Sequence, residues 1–336
     1  EGAGAAVDLG WGESRDLFNI ESNGLLDCQE RKLSERAMKR GMSALGTLGS
    51  GNHFLELQIV DKIVDHEAAK SYGLRKGQIT AMIHTGSRGL GHQVCSEHVN
   101  AIESKYQKND GFWHAPEWDI QITDRQLAAA PIYSKEGQEY VDSMNAAGNY
   151  AFANRSALTQ RLRNSLRDIL GRDSNLKLIY DVSHNIAKIE NHEVHGKQCK
   201  CCVHRKGATR ALGGDHVELS NQFSGIGQPV LVPGDMGTAS WVLAGPKIGS
   251  NDAFASSCHG AGRKLSRTAA RNSIDSVELK KNLEAKGIYV NVKTPNVLSE
   301  EAPDAYKDVD EVIDLTQKAR LARPVARLKP FAVIKG

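Results

Sequence analysis

Four histidines stand among small, polar and glycine residues. His53 lies in Gly46-Thr-Leu-Gly-Ser-Gly-Asn-His-Phe-Leu-Glu56 and His84 in Ile83-His-Thr-Gly-Ser-Arg-Gly-Leu-Gly91. His184 lies in Tyr180-Asp-Val-Ser-His-Asn185, and His259 opens His259-Gly-Ala-Gly-Arg263. Neutral imidazole is the commonest metal ligand, and imidazoles from distant segments can share one ion. Glycines let backbone amides and arginines approach a phosphate closely. The pattern reads as a metal-assisted phosphoryl or nucleotidyl transfer centre. The bland reading of any single histidine is a surface or hydrogen-bonded core residue, and His66, His98, His114, His192, His195 and His216 are expected at the surface.

His259 is a candidate ligand or nucleophile. An imidazole nitrogen can attack the α-phosphorus of a nucleotide, and Gly260 and Gly262 leave room for a triphosphate. Cys258 is a rival nucleophile if Arg263 activates it as a thiolate. Arg263 and Arg267 share a face if they lie on one helix, where they would hold phosphates. Arg205 and Lys206 precede Gly-Ala-Thr and form a candidate anion cradle. Gly86 to Gly91 lacks the lysine pattern of a nucleotide phosphate loop. Cys199-Lys-Cys-Cys-Val-His204 has the wrong spacing for a zinc knuckle and is expected to form a cysteine-rich hairpin turn.

Elements must hold these groups in place. Residues 1 to 45 are expected to be helical, with Ser34 capping a charged turn that stops at Gly41. From 46 to 91 the pattern changes to glycine-broken strands, Phe54–Val60 and Thr80–His84. Residues 92 to 172 read as mostly helical, with Tyr140, Val141, Met144, Ala147, Tyr150 and Ala151 at helical spacing. Further strands are expected at Leu176–Val182, Gln228–Pro233, Ala239–Ala244, Ile288–Val292 and Phe331–Ile334. The fold class is α+β, a β-sheet core with a helical insertion at about 92–172, kept as one domain over 1–336.

The whole-chain numbers exclude little. The chain has 336 residues and a formal net charge of +3, too mild to imply nucleic-acid binding without local clustering. No apolar run approaches the roughly 20 residues of a membrane helix, and no signal peptide is visible. Six unevenly spaced cysteines suit reduced thiols and a cytoplasmic setting. The chain starts at Glu1, which reads as a fragment or a processed chain.

Taken in order, these motifs resemble a family. Gly46–Glu56, His84–Gly91, Asp181–Glu190, His204–Ala211, Pro233–Ser240, His259–Arg267 and the terminal Ile334-Lys-Gly336 are similar to the motifs of RtcB-type RNA-splicing ligases. The resemblance covers essentially the whole chain and implies a mixed RtcB-like sheet. It also implies an enzyme that joins an RNA 3′-phosphate or 2′,3′-cyclic phosphate to a 5′-hydroxyl, using GTP and Mn2+, in tRNA splicing or RNA repair. By the same resemblance, His53, His84 and His184 bind metal, and His259 becomes guanylylated. Asn52, Asn185, Arg205, Lys206, Asp235 and Arg263 would contact the nucleotide or its phosphates, and Arg88 and Arg267 the phosphate or RNA. Glu56, Ser240 and Lys335 would read the guanine edge, and Tyr306 would stack on the base. A carboxylate accepts from guanine N1 and N2 and a lysine donates to O6, a pattern adenine reverses. RNA is the implied partner, with an archease-type activating protein beside it.

The family's aspartate–cysteine ligand motif has no Asp-x-x-Cys counterpart in these residues, and Cys95 is a poor substitute. One histidine would remain for one ion and two for the other, so weak metal binding and no ligation by residues 1–336 alone are expected. The alternatives are a metal-dependent phosphoesterase using water as nucleophile, or a non-catalytic RNA-binding fragment.

Overall fold

Alternating burial defines the main sheet. Along the Phe54–Ile63 strand, Phe54, Leu55, Glu56, Gln58 and Val60 are buried while Ile59 is exposed, so from Glu56 onward every second side chain faces the core. The computed structural model describes residues 1–28 and 33–336, and the part of the expected amino-terminal helix at 29–32 lies outside them. Contacts divide the chain into two compact units. One comprises 1–14, 24–47 and 86–172, the other 15–23, 48–85 and 173–336.

The second unit carries a six-stranded mixed sheet. Ile79–His84 pairs antiparallel with Phe54–Ile63, which pairs antiparallel with the long Arg323–Lys335 strand. On the far edge of that strand, Ser240–Ala244 runs antiparallel to Arg323–Leu328, and Pro229–Val232 continues outward. Tyr289–Val292 runs parallel to Ala332–Lys335. Under the sheet lies a core of Val60, Tyr72, Met82, Phe223, Val242 and Leu328. Tyr72 is buried because its hydroxyl donates to the Gly227 carbonyl at 2.8 Å, satisfying its one polar atom. A second core joins Val230, Val232, Trp241 and Leu243 to Ile313 of the Val309–Lys318 helix.

A hairpin of two ten-residue strands, Asn185–Val194 and Lys197–Lys206, stands apart from the main sheet. Its turn is His195-Gly196, both at positive φ, so the cysteines of 199–202 lie along a strand and not in the turn expected for them. Leu176–Val182 is not the strand its composition suggests. Among the described residues its one strand-type pairing is a bridge from Asp181 to Ile20, so no ladder forms along the segment.

The first unit is mainly helical. Its longest element is the 36-residue helix Lys135–Leu170, capped by Ser134, whose side chain accepts from Gly137 N. Arg88–Glu103 and Glu35–Met42 are helices too, and Leu90, Val94, Ala37 and Ala147 form their shared core. A small three-stranded sheet (Gln107–Asn109, Phe112–Ala115, Ile120–Ile122) interrupts the helical pattern expected there. Asn154, fully buried on the long helix, donates to the carbonyls of Thr47 and Gly86 and accepts from Thr47 N. No helix among the described residues is long and apolar enough to cross a membrane.

Candidate active site

Strand register begins the site. Phe54 and His84 are cross-strand partners, so His84 ends its strand beside the point where His53 enters the sheet. The His53 and His84 rings are 5.8 Å apart between centroids. His184 stands one residue before the hairpin, and His259 one residue after the short strand Ser256–Cys258 that pairs with Ala208–Arg210. Four segments far apart in sequence thus bring four imidazoles into one row.

His84 Nε2 and His184 Nε2 lie 3.0 Å apart, with the rings nearly perpendicular. Two nitrogens on one ion, each at about 2.05 Å in tetrahedral geometry, would be roughly 3.3 Å apart. The pair therefore fits two positions around a divalent ion. Burial, with the neighbouring His184 and His53 adding to it, drives His84 well below its ordinary value. A neutral imidazole is the form that ligates. Among the described residues no three His, Cys, Asp or Glu side chains converge as a ligand set, and His53 stands beside the pair.

The His259 ring stacks on His184 at 4.5 Å and 25°. Burial lowers its pKa and the Lys206 charge lowers it further, while a hydrogen bond to the Gly207 backbone opposes both. The result is a neutral, nucleophilic imidazole near neutral pH. Gly207 has φ +72°, and a Cβ there would stand 3.3 Å from the imidazole. Its N–H also donates to the His184 carbonyl at 3.0 Å, so one residue holds the His184 backbone and the His259 ring. Cys258 is a poor rival. Burial raises its thiol pKa, its sulfur contacts Thr316 Oγ1 at 3.3 Å, and Arg263 is engaged elsewhere.

On the buried face, Gln58 Nε2 donates to Glu56 at 2.8 Å and to Ser240 Oγ at 3.0 Å. Burial raises Glu56 to about 7, partly offset by the Gln58 bond and by Lys335. Lys335 Nζ lies 5.9 Å from the Phe54 ring and reaches the Gly51 carbonyl at 3.4 Å. Burial lowers its pKa, and the charges of Glu301 and Glu56 oppose that. The three expected guanine readers are therefore neighbours. Sequence reasoning missed Gln58, which joins two of them. Nothing in the sequence announced it, because Leu55, Leu57 and Ile59 occupy the odd positions and mark the other face.

Glu301 was also missed. It is 2% exposed and accepts from Arg263 Nη1 and Arg267 Nε, both at 3.2 Å, and from the Tyr306 hydroxyl. Lys335 Nζ is 4.0 Å away. One buried carboxylate thus gathers three residues expected at the nucleotide, Arg263, Tyr306 and Lys335, and one expected at the phosphate or RNA, Arg267. No local pattern announces it, because its arginine partners lie 38 and 34 positions upstream.

Several expected geometries are corrected. Arg263 and Arg267 do not share a helix, because Ser266 caps the helix Arg267–Ser273 and leaves Arg263 outside it. Arg263 instead donates to the carbonyls of Leu265 and Glu300 and stacks under Tyr306 at 4.8 Å. Arg205 is not an open anion cradle. It is buried, grips Glu190 at 2.7 and 2.8 Å, and donates to Ser256 Oγ. Lys206 stays exposed beside His259. Asp235 is buried in its own turn, accepting from Gly237 N and Thr238 Oγ1, and burial raises its pKa. Asn52 is half-buried in the turn before His53, and Asn185 is exposed at the start of the hairpin. Arg88 lies in the first unit, at φ +53°, with Nε 3.3 Å from Thr47 Oγ1. Cys95 is exposed on the Arg88–Glu103 helix of the same unit.

Behind His184 stands a buried ion cluster. Glu21 accepts from Ser183 N at 2.8 Å and pairs with Lys188 at 2.7 Å and Arg210 at 3.5 Å. Burial alone would raise Glu21, but Lys188 and Arg210 outweigh it and hold the carboxyl at about 2.

An α+β fold whose mixed sheet gathers four imidazoles at one end has the layout of a histidine-centred active site. Comparison with known proteins names the family. The profile described as tRNA-splicing ligase RtcB matches residues 1–336. A tRNA-splicing ligase RtcB of Archaeoglobus fulgidus is 46% identical over 340 residues, covering 100% of this chain and 69% of that protein. The RNA-splicing ligase RtcB of Mycobacterium tuberculosis is 47% identical over 336 residues, covering 100% of this chain and 75% of that protein. The tRNA-splicing ligase RtcB of Pyrococcus furiosus is 46% identical over 341 residues, with this chain covering 34% of it. The chain belongs to the RtcB family.

Proposed function

We propose that this chain is the catalytic part of a GTP-dependent RNA ligase with His259 as its nucleophile. One observation carries the reading: a neutral imidazole, held in place by Gly207, stacked on a histidine pair whose nitrogens fit one ion. Nearby, Glu56, Ser240 and Lys335 offer an acceptor and a donor suited to a guanine edge.

The chemistry proceeds in three displacements. The His259 nitrogen attacks the α-phosphorus of GTP, a P–N bond forms, and pyrophosphate leaves. An oxygen of the RNA 3′-phosphate then attacks that phosphorus, and the P–N bond breaks. Finally the 5′-hydroxyl attacks the activated 3′-phosphate and GMP leaves. Lys206 supplies positive charge beside His259, and its field favours the neutral imidazole that begins the sequence. A divalent ion on His84 and His184, read as Mn2+, would neutralise triphosphate charge and stabilise the departing pyrophosphate.

The test is joining of a 3′-phosphate RNA to a 5′-hydroxyl RNA by the full-length protein with GTP and Mn2+. The account expects a GTP-dependent joined product. Release of inorganic phosphate from the RNA end without joining would instead identify a phosphoesterase.

A further inference from the structure

A cavity of about 420 Å³ opens on the second unit at the end of the Phe54–Ile63 strand remote from His53. Its rim carries Lys62, His66, Lys70, Arg75 and Lys76, with Leu74 in its floor. All five basic side chains are exposed, and among the described residues no salt bridge or side-chain hydrogen bond engages them. The neighbouring carboxylates are committed elsewhere. Asp61 pairs with Arg327 at 3.0 Å and Lys329 at 3.2 Å. Asp65 holds Arg323 and caps its helix through Ala68 N, and Glu67 pairs with Lys247 at 2.6 Å. Four permanent positive charges therefore converge on one concavity with no paired counter-charge among the described residues. No ion pair among the described residues accounts for the cluster, and like charges so placed repel one another. It matches a run of phosphates, whose bound counterions are released when lysine and arginine replace them.

We propose that this cavity is a phosphate-backbone site for the body of the RNA substrate, separate from the reacting end. The proposal rests on the RNA-ligase reading above. The strand between the two places sets the spacing. At about 3.3 Å per residue, Phe54–Ile63 spans roughly 30 Å. A stacked nucleic-acid strand advances about 3.4 Å per nucleotide, so the cavity is reached only by RNA longer than about nine nucleotides. Short RNA would engage His259 alone, and longer RNA would engage both places.

The experiment is RNA binding by the full-length protein and by its Lys62→Gln, Lys70→Gln, Arg75→Gln, Lys76→Gln variant. Binding is measured from about 50 to 200 mM salt with RNAs of about 5 and about 20 nucleotides. Each single-strand phosphate contact contributes about 0.7 to the slope of log K against log salt, so the variant should lose about 2 to 3 from its slope on the long RNA. Its low-salt affinity for that RNA should fall roughly tenfold or more. Affinity for the short RNA and guanylylation by GTP without RNA should be unchanged, the latter showing that fold and active site are intact. An unchanged slope on the long RNA overturns the proposal, as would equal losses on short and long RNA. Failure of the ligase reading looks different, because the unmodified protein would then neither take up guanylate nor join ends.

Discussion

At the scale of single residues, nucleotide choice depends on Glu56 and Lys335. Lys335→Ala removes one charge-assisted hydrogen bond, worth roughly 1.5–3 kcal/mol, so guanylylation should weaken about ten- to a hundred-fold and the gap between GTP and ATP should narrow. Equal use of the two nucleotides by the unmodified protein would remove the basis for guanine reading. Glu56 adds a pH signature. Held at about 7 by burial against an ordinary 4.5, it is mostly protonated at pH 6 and mostly ionised at pH 8. Only the carboxylate accepts both guanine N–H groups, so the GTP-to-ATP ratio of guanylylation rates should rise across that window and stay flat in Glu56→Gln. A flat ratio in the unmodified protein would count against Glu56. Its folded pKa is raised, so its contribution to stability is fully present below 4.5 and lost as pH rises through 7.

At the scale of elements, turns and buried ion pairs hold the histidines. Gly207→Ala would place a Cβ at φ +72° and 3.3 Å from the His259 ring. A strain of about 1–2 kcal/mol plus a displaced imidazole should slow guanylylation about tenfold or more while circular dichroism stays native. Glu21 supports the Ser183–His184 backbone. Its folded pKa is depressed, so its stabilisation is present above 4.5 and lost as pH falls toward 2. Glu21→Ala leaves Lys188 and Arg210 buried without their shared partner and should cost about 3–5 kcal/mol in urea unfolding at pH 7. A change under about 1 kcal/mol would show the cluster to be slack. These elements also show what the sequence made legible. Runs between glycines located strands at Phe54–Val60 and Thr80–His84, within the observed Phe54–Ile63 and Ile79–His84, and Ser34 marked its helix start, because both signals are local. Leu176–Val182 looked like a strand by composition, but a strand also needs a neighbour. Arg205 looked like a phosphate ligand until its hairpin partner Glu190, 15 positions earlier, proved to occupy it. Glu301, Gln58 and Asn154 act through partners distant in sequence or across a sheet, and composition carries no trace of such pairings.

At the scale of the whole molecule, the second unit gathers His53, His84, His184 and His259 at one end of its sheet and the basic cavity at the other end of the Phe54–Ile63 strand. A net charge of +3 says little about RNA, yet four unpaired cations in one concavity say more, because placement and not the total governs phosphate binding. The central claim is that His259 carries the guanylate. Its most direct measurement is incubation of the full-length protein with α-labelled GTP and Mn2+, then acid or alkali treatment of the denatured protein. The account predicts label that is lost in acid, survives alkali as a phosphoramidate should, and is absent from His259→Ala. Label that survives acid, or that persists in His259→Ala, would contradict it.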